Sequence, residues 1–285
     1  MTKNKTLDRW NIGMSAVQAV MGAVLLYIYS DENLLNKSVK LTTSGVVKIP
    51  TSSNESELGW IQKDGSNVYI AREVVAFFFV TSLFHGTYAL MGKKYHSMID
   101  SGNNCLRWIE YSISATLMIR IIALQAGVRD QSTLELITAN TIGIMLQGQI
   151  VEAILAKNKK QLNKFQKSAI LTATIVGWLL MVANFYVIMK QYLSLVDDVD
   201  KFNCPDVKVP DFVVYIIGTQ LFFYATFGFI QIYQVYQRLE NKKVDYSQIE
   251  LLYLIDSLAS KVTLGALLGY SVTSADKGAY GTFKC

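Results

Sequence analysis

The chain has 285 residues, 51% of them hydrophobic, with 17% charged, three prolines and a net charge of +5. That charge content lies below the roughly 25% of soluble domains. With no nucleic-acid motif, no solenoid repeat and no catalytic or metal-ligating constellation, it excludes a DNA-binding protein and gives no reason to expect an enzyme. What remains is an all-α membrane protein, one domain over residues 1–285.

In chain order, Met1 to Asp8 is polar and no small-residue cleavage site follows, so the first apolar stretch reads as a retained span. Windows long enough to cross a bilayer recur seven times. They are Trp10–Tyr29, Val74–Met91, Leu106–Ala126, Leu134–Leu155, Ala169–Ile188, Phe212–Tyr236 and Ile249–Tyr270. A seven-transmembrane helix bundle is expected. Between the first two spans, residues 31–68 form the one sizeable loop. Within it "SVKLTTSGVVKIPT" alternates β-branched and polar residues around Ser44-Gly45, which reads as a short β-hairpin turning there. Asn36-Lys37-Ser38 and Asn54-Glu55-Ser56 are glycosylation triplets in the same loop. The fourth span is diluted by Asn140, Gln147, Gln149 and Glu152. Such groups must face the bundle interior or a cavity rather than lipid.

Basic residues orient the chain. One side collects Lys3, Lys5, Arg9, Lys93, Lys94, Arg107, Lys157, Lys159, Lys160, Lys164, Lys167, Arg238, Lys242 and Lys243. The other side has fewer, many of them in or beside the long loop, and carries the acidic run Asp197, Asp198, Asp200, Asp206 and Asp211. The N-terminus is therefore expected in the cytoplasm and the C-terminus, with the hairpin, outside. Cys204 and Cys285 fall on one side, where a disulfide or two separate thiols both fit.

The last span is the anomaly. Lys261 stands near its middle, where an unpaired ammonium costs about 2.5–3.5 kcal/mol on insertion scales. A long side chain can snorkel to the interface, but Lys261 has apolar turns on both sides. Burial also makes the amine easier to deprotonate, and a free amine can condense with an aldehyde. A Lys261 kept charged needs a carboxylate. Glu110 lies one turn inside the third span, with Ser114 at i+4 and Met118 a further turn along that face. Glu110 can equally be read as an interfacial charge pairing with Arg107 at i−3.

"RWIEYSISATLM" on the third span and "SLASK" on the seventh resemble the heliorhodopsin family of microbial rhodopsins. So do "LFHG" on the second span, "TIVGWLL" on the fifth and "FFYATFGFIQ" on the sixth. A cytoplasmic N-terminus is also a trait of that family. The resemblance implies all-trans retinal bound covalently to Lys261 as a protonated Schiff base, with Glu110 as counter-ion. Ser257 would take the place of a second aspartate, and Ser114 would hydrogen-bond nearby. Met118, Trp178 and Tyr224 would line the polyene. His85 and Gln18 would belong to a polar cavity on the cytoplasmic side of Glu110. The family also implies a homodimer surrounded by membrane lipid. Each residue has an ordinary reading as well. Trp178, Tyr224 and Met118 can be plain packing, and His85 an interhelical hydrogen-bonding histidine.

Three positions depart from the family. Ser15 stands where a second cavity histidine is common. Arg120 lies within the third span, ten residues beyond Glu110, and Asp256 lies beside Ser257. Arg120 can snorkel and Asp256 can pair locally, or the two can join Gln147, Gln149 and Glu152 in a wetted path. The function expected is a light receptor that signals by conformational change, with an unknown cytoplasmic partner. The alternatives are a light-gated passive proton or cation conductance, and a non-retinal seven-helix receptor or transporter.

Overall fold

A computed structural model describes residues 3–50, 56–157, 162–201, 209–240, 242 and 244–273. The elements are α1 (Lys3–Asp31), β1 (Val39–Pro50), β2 (Ser56–Val68), α2 (Ile70–Met91), α3 (Lys93–Ser101), α4 (Cys105–Gln125), α5 (Gln131–Lys157), α6 (Lys164–Lys201), α7 (Phe212–Leu239) and α8 (Tyr246–Thr273). The seven long helices form a ring in chain order, α8 returning to α1 and α4 also reaching α7.

The patterning is that of a membrane bundle. Val20, Leu83, Leu146, Leu179, Phe222 and Phe229 are exposed on outward faces, while Gln18, His85, Glu110, Asn184 and Gln220 are buried. Lipid accepts the first set, and the second must be satisfied inside. Among the described residues, six helices are long and apolar enough to span. The seventh, α4, carries Arg107, Glu110 and Arg120 within its 21 residues, and more than half of the helix is buried, so its charges face protein rather than lipid. The main core joins Phe77, Phe78, Ile121, Ile122, Ile216 and Leu264 from four helices.

Three features differ from the sequence expectation. First, the fifth span extends beyond Ile188 to Lys201, making α6 38 residues long. Its last turn is held by an exposed Lys201–Asp197 pair at i,i+4, a polar extension that an apolar window ignores. Second, α3 was not foreseen. It is a nine-residue amphipathic helix burying Tyr95 and Ile99, one turn apart, against Leu7, Tyr88, Tyr246 and Leu254.

Third, the hairpin is real but does not turn at Ser44-Gly45. Ser44 pairs with Gln62 and Gly45 with Ile61 in mid-strand, and the ladder continues to Pro50 opposite Ser56. A Cβ at Gly45 would come within 2.5 Å of the Lys63 side chain, so this glycine makes room for a cross-strand neighbour and does not mark a turn. The base of the hairpin packs into the bundle through Leu41 and Val68. Thr42 N donates to Arg129 O at 2.8 Å, just before α5. Asn36 is exposed, and its side chain accepts from Arg72. The second triplet at Asn54, together with Cys204 and Cys285, lies outside the described residues.

Candidate functional site

Helices α4 and α8 bring the two intramembrane charges together. Lys261 Nζ donates to Glu110 Oε1 at 2.7 Å, and both side chains are all but inaccessible, at 3% and 1%. Ser257, one turn earlier on α8, accepts from the same ammonium at 3.1 Å. Glu110 Oε1 also accepts from Ser114 Oγ at 2.8 Å and from Thr81 Oγ1 at 3.0 Å. The Tyr111 ring lies 5.3 Å from the ammonium. One cation and two hydroxyl donors thus converge on a single oxygen of Glu110.

Arg107 is not the partner of Glu110. Its guanidinium donates to Glu152 Oε2 at 2.6 Å and to Glu250 Oε2, bridging two carboxylates. Trp108 Nε1 donates to Glu152. Asn104 N donates to Glu152 Oε1 at 3.0 Å and Asn104 Nδ2 to Glu250 Oε1 at 2.8 Å. Tyr95 OH adds a bond to Glu250 Oε1 at 3.1 Å. Arg107, Glu152 and Glu250 therefore make a second, fully buried charge cluster, separate from the first. In the sequence Arg107 stands among the basic residues that orient the chain and as a possible i−3 partner of Glu110, and Glu250 does not stand out. A carboxylate four residues inside α8 was the available signal.

Beside Lys261 a cavity, partly open to the outside, lies between α4, α5, α6, α7 and α8. Ser114, Met118, Trp178, Tyr224, Ser257 and Lys261 all line it. The remaining wall is largely apolar, including Tyr111, Met145, Met181, Phe223 and Phe227. Phe223, Tyr224 and Phe227 share one helical face, a spacing that could have flagged all three. Tyr224 OH is anchored on Ala115 O at 2.8 Å and Gln220 Nε2 on Ser260 O at 3.0 Å.

On the other side of Glu110, His85 Nδ1 shares a 2.9 Å hydrogen bond with Asn11 Oδ1. Gln18 is wholly buried, with neither amide atom bonded to protein. Ser15 is not drawn into this group. It is half-buried and joins α1 to α2 by donating to Ser82 O at 3.0 Å, because its turn of α1 faces the Ser82 backbone.

The residues of the wetted path are not brought together. Arg120 is paired with Glu73 at 2.9 Å and reaches Thr138. Asp256 accepts from Thr226 Oγ1 at 2.7 Å. Glu152 belongs to the Arg107 cluster, Gln149 donates to Asn103, and Gln147 lines the cavity. Arg120 and Glu152 are paired with opposite charges and Asp256 with a hydroxyl, and the partners Glu73 and Thr226 lie on other spans and leave no sign in the sequence near Arg120 or Asp256.

A family model described as heliorhodopsin matches residues 7–271. No curated protein sequence matches. Among solved structures, the rhodopsin of Exiguobacterium sibiricum is similar with a TM-score of 0.57 at 14% identity, covering 92% of this chain and 95% of its own. A light-driven proton pump from Leptosphaeria maculans is similar with a TM-score of 0.51 at 9% identity, covering 99% and 98%. At such identities these two likenesses speak for the fold alone.

Proposed function

The chain belongs to the heliorhodopsin family, and from that premise we propose that it is a light receptor carrying all-trans retinal on Lys261, with Glu110 as counter-ion. The observation that carries this reading is the buried 2.7 Å Lys261–Glu110 pair beside a mainly apolar cavity. A polyene fits such a wall, and the amine that would bond it already lines the cavity. Bound retinal supplies the absorption of light and the change of shape. The chain's own residues do the rest. Glu110 stabilises positive charge on the Lys261 nitrogen, and Thr81 and Ser114 stabilise Glu110. Met118, Trp178 and Tyr224 confine the chain of the chromophore. When the positive charge on Lys261 is lost, its attraction for Glu110 goes with it, so this pair is the charge element that light can switch.

The separate pairing of Arg120 with Glu73 and of Glu152 with Arg107 favours a receptor over a passive conductance. The protein is an integral, multi-pass membrane protein. The excess of lysine and arginine on one side supports a cytoplasmic N-terminus. A homodimer and a cytoplasmic signalling partner complete the proposal.

The test is expression with all-trans retinal. The wild-type chain should acquire a visible absorption band. Lys261→Ala should stay colourless while still fractionating with membranes. A wild-type protein that remains unpigmented, or colour that survives Lys261→Ala, overturns the reading.

A further inference from the structure

Helix α3 has a construction unlike the spans around it. It is nine residues long, well short of the roughly 12–15 at which an isolated helix becomes even marginally stable. Its helicity therefore depends on what holds it to the bundle. Both flanking residues are glycines with positive φ, +51° at Gly92 and +79° at Gly102, a backbone region that other residues enter at a cost. The segment is thus a short rod bounded by two glycines, the residue type whose backbone is least restricted.

Its ties are few. Tyr95 and Ile99 bury their side chains, Tyr95 OH donates to Glu250, and His96 pairs with Asp8 at 2.7 Å. Tyr95 is also the end of a line of contacts that starts at the Lys261 pair. Thr81, which donates to Glu110, shares a face of α2 with His85 and Tyr88, at i+4 and i+7. The His85 and Tyr88 rings meet edge to face at 5.5 Å, and Tyr88 stacks on Tyr95 at 5.3 Å. Along this line the polar groups are loosely committed. Glu110 Oε2, His85 Nε2 and Tyr88 OH are buried without a protein partner. Buried polar groups without partners take up water or re-pair when a neighbouring charge changes.

Resting on the reading that Lys261 carries the chromophore, we propose that α3 is a hinged flap. Its hold on the bundle is set by the charge state of the Lys261–Glu110 pair, and Tyr95 is the side chain that transmits the change. Loss of the ion pair alters the field on the Thr81–His85–Tyr88 face. Tyr88 and Tyr95 then re-pair, the bond to Glu250 is released, and α3 swings on Gly92 and Gly102. That exposes the end of the bundle where Tyr95 and Ile99 were packed.

Hydrogen exchange of the backbone amides of residues 93–101, measured by mass spectrometry on retinal-loaded protein in darkness and under continuous light, tests this. Light should speed exchange in this segment by at least about fivefold, while the buried middle of α4 stays protected. Tyr95→Phe keeps the ring and removes the hydroxyl, so its α3 should exchange fast in the dark already and lose the light increment. Should that variant fail to insert, Asp8→Ala serves instead. It removes the tie at His96, so dark exchange should rise while the light increment persists. Absence of pigment counts against the chromophore reading. A pigmented, light-responsive protein whose α3 exchanges equally in light and dark overturns the flap.

Discussion

Replacing Arg107 by methionine, a shorter unbranched side chain without charge, is the most informative perturbation of the bundle. The guanidinium touches two carboxylates, Glu152 at 2.6 Å and Glu250, and all three side chains are no more than 3% exposed. At an effective dielectric constant near 20, one contact at about 3 Å is worth about 5 kcal/mol of gross Coulomb attraction. Desolvation offsets most of that, and breaking one buried pair costs about 3–5 kcal/mol net. Here the loss of one cation leaves two carboxylates facing each other, so Arg107→Met should cost at least about 4 kcal/mol. Titration of the protein from mild micelles into dodecyl sulfate, followed by tryptophan fluorescence, measures it. Combining Arg107→Met with Glu152→Gln and Glu250→Gln removes the stranded charges and should recover at least about half of the loss, because contacting residues do not add independently. A cost below about 1 kcal/mol, or a triple variant no more stable than the single one, would refute the reasoning that these charges are mutually compensating.

Other substitutions probe the site itself. Glu110→Gln should move the visible band to longer wavelength, since the negative charge that stabilises the Lys261 nitrogen is gone; an unmoved band would pass the counter-ion role to another acid, Asp256 first. Met118→Trp places a larger ring in the cavity wall beside Ser114, where overpacking costs about 1–3 kcal/mol. Pigment formed per mole of protein should fall several-fold, and full pigment yield would mean that the chromophore lies elsewhere. Arg120→Gln strands Glu73 at 17% exposure and should cost about 1–3 kcal/mol while leaving the band in place. A band displaced as far as in Glu110→Gln would show that the outer pair does communicate with Lys261.

How much of this was legible in the chain depends on what each residue type can hide. Lys261 and Glu110 stand out because a charge inside an apolar window is expensive wherever its partner lies, and hydropathy alone finds the spans around them. The wall residues on α7 follow from helical spacing. Partners across the bundle do not. Glu73 and Glu250 sit near helix ends, where acids are ordinary, and only packing reveals that one meets Arg120 and the other Arg107. Ser44-Gly45 misled for a related reason, since a glycine's local options are the same whether it turns a chain or clears space for Lys63. Helix α3 is too short and too polar to leave a period, and its stability is borrowed from Tyr88 and Leu254.

The length of α6 carries a mechanical consequence. From Trp178, in the cavity wall, to Lys201 the helix runs about 35 Å without interruption. That exceeds the roughly 30 Å thickness of the hydrocarbon layer itself, so the far tip stands clear of the lipid on the hairpin side. Movement of the indole by a fraction of an ångström, if it tilts the rod by about 5°, displaces that tip by about 3 Å. A probe attached near Asp197 would read events in the cavity beside Lys261 from outside the bilayer, as the long arm of a balance reads a small weight.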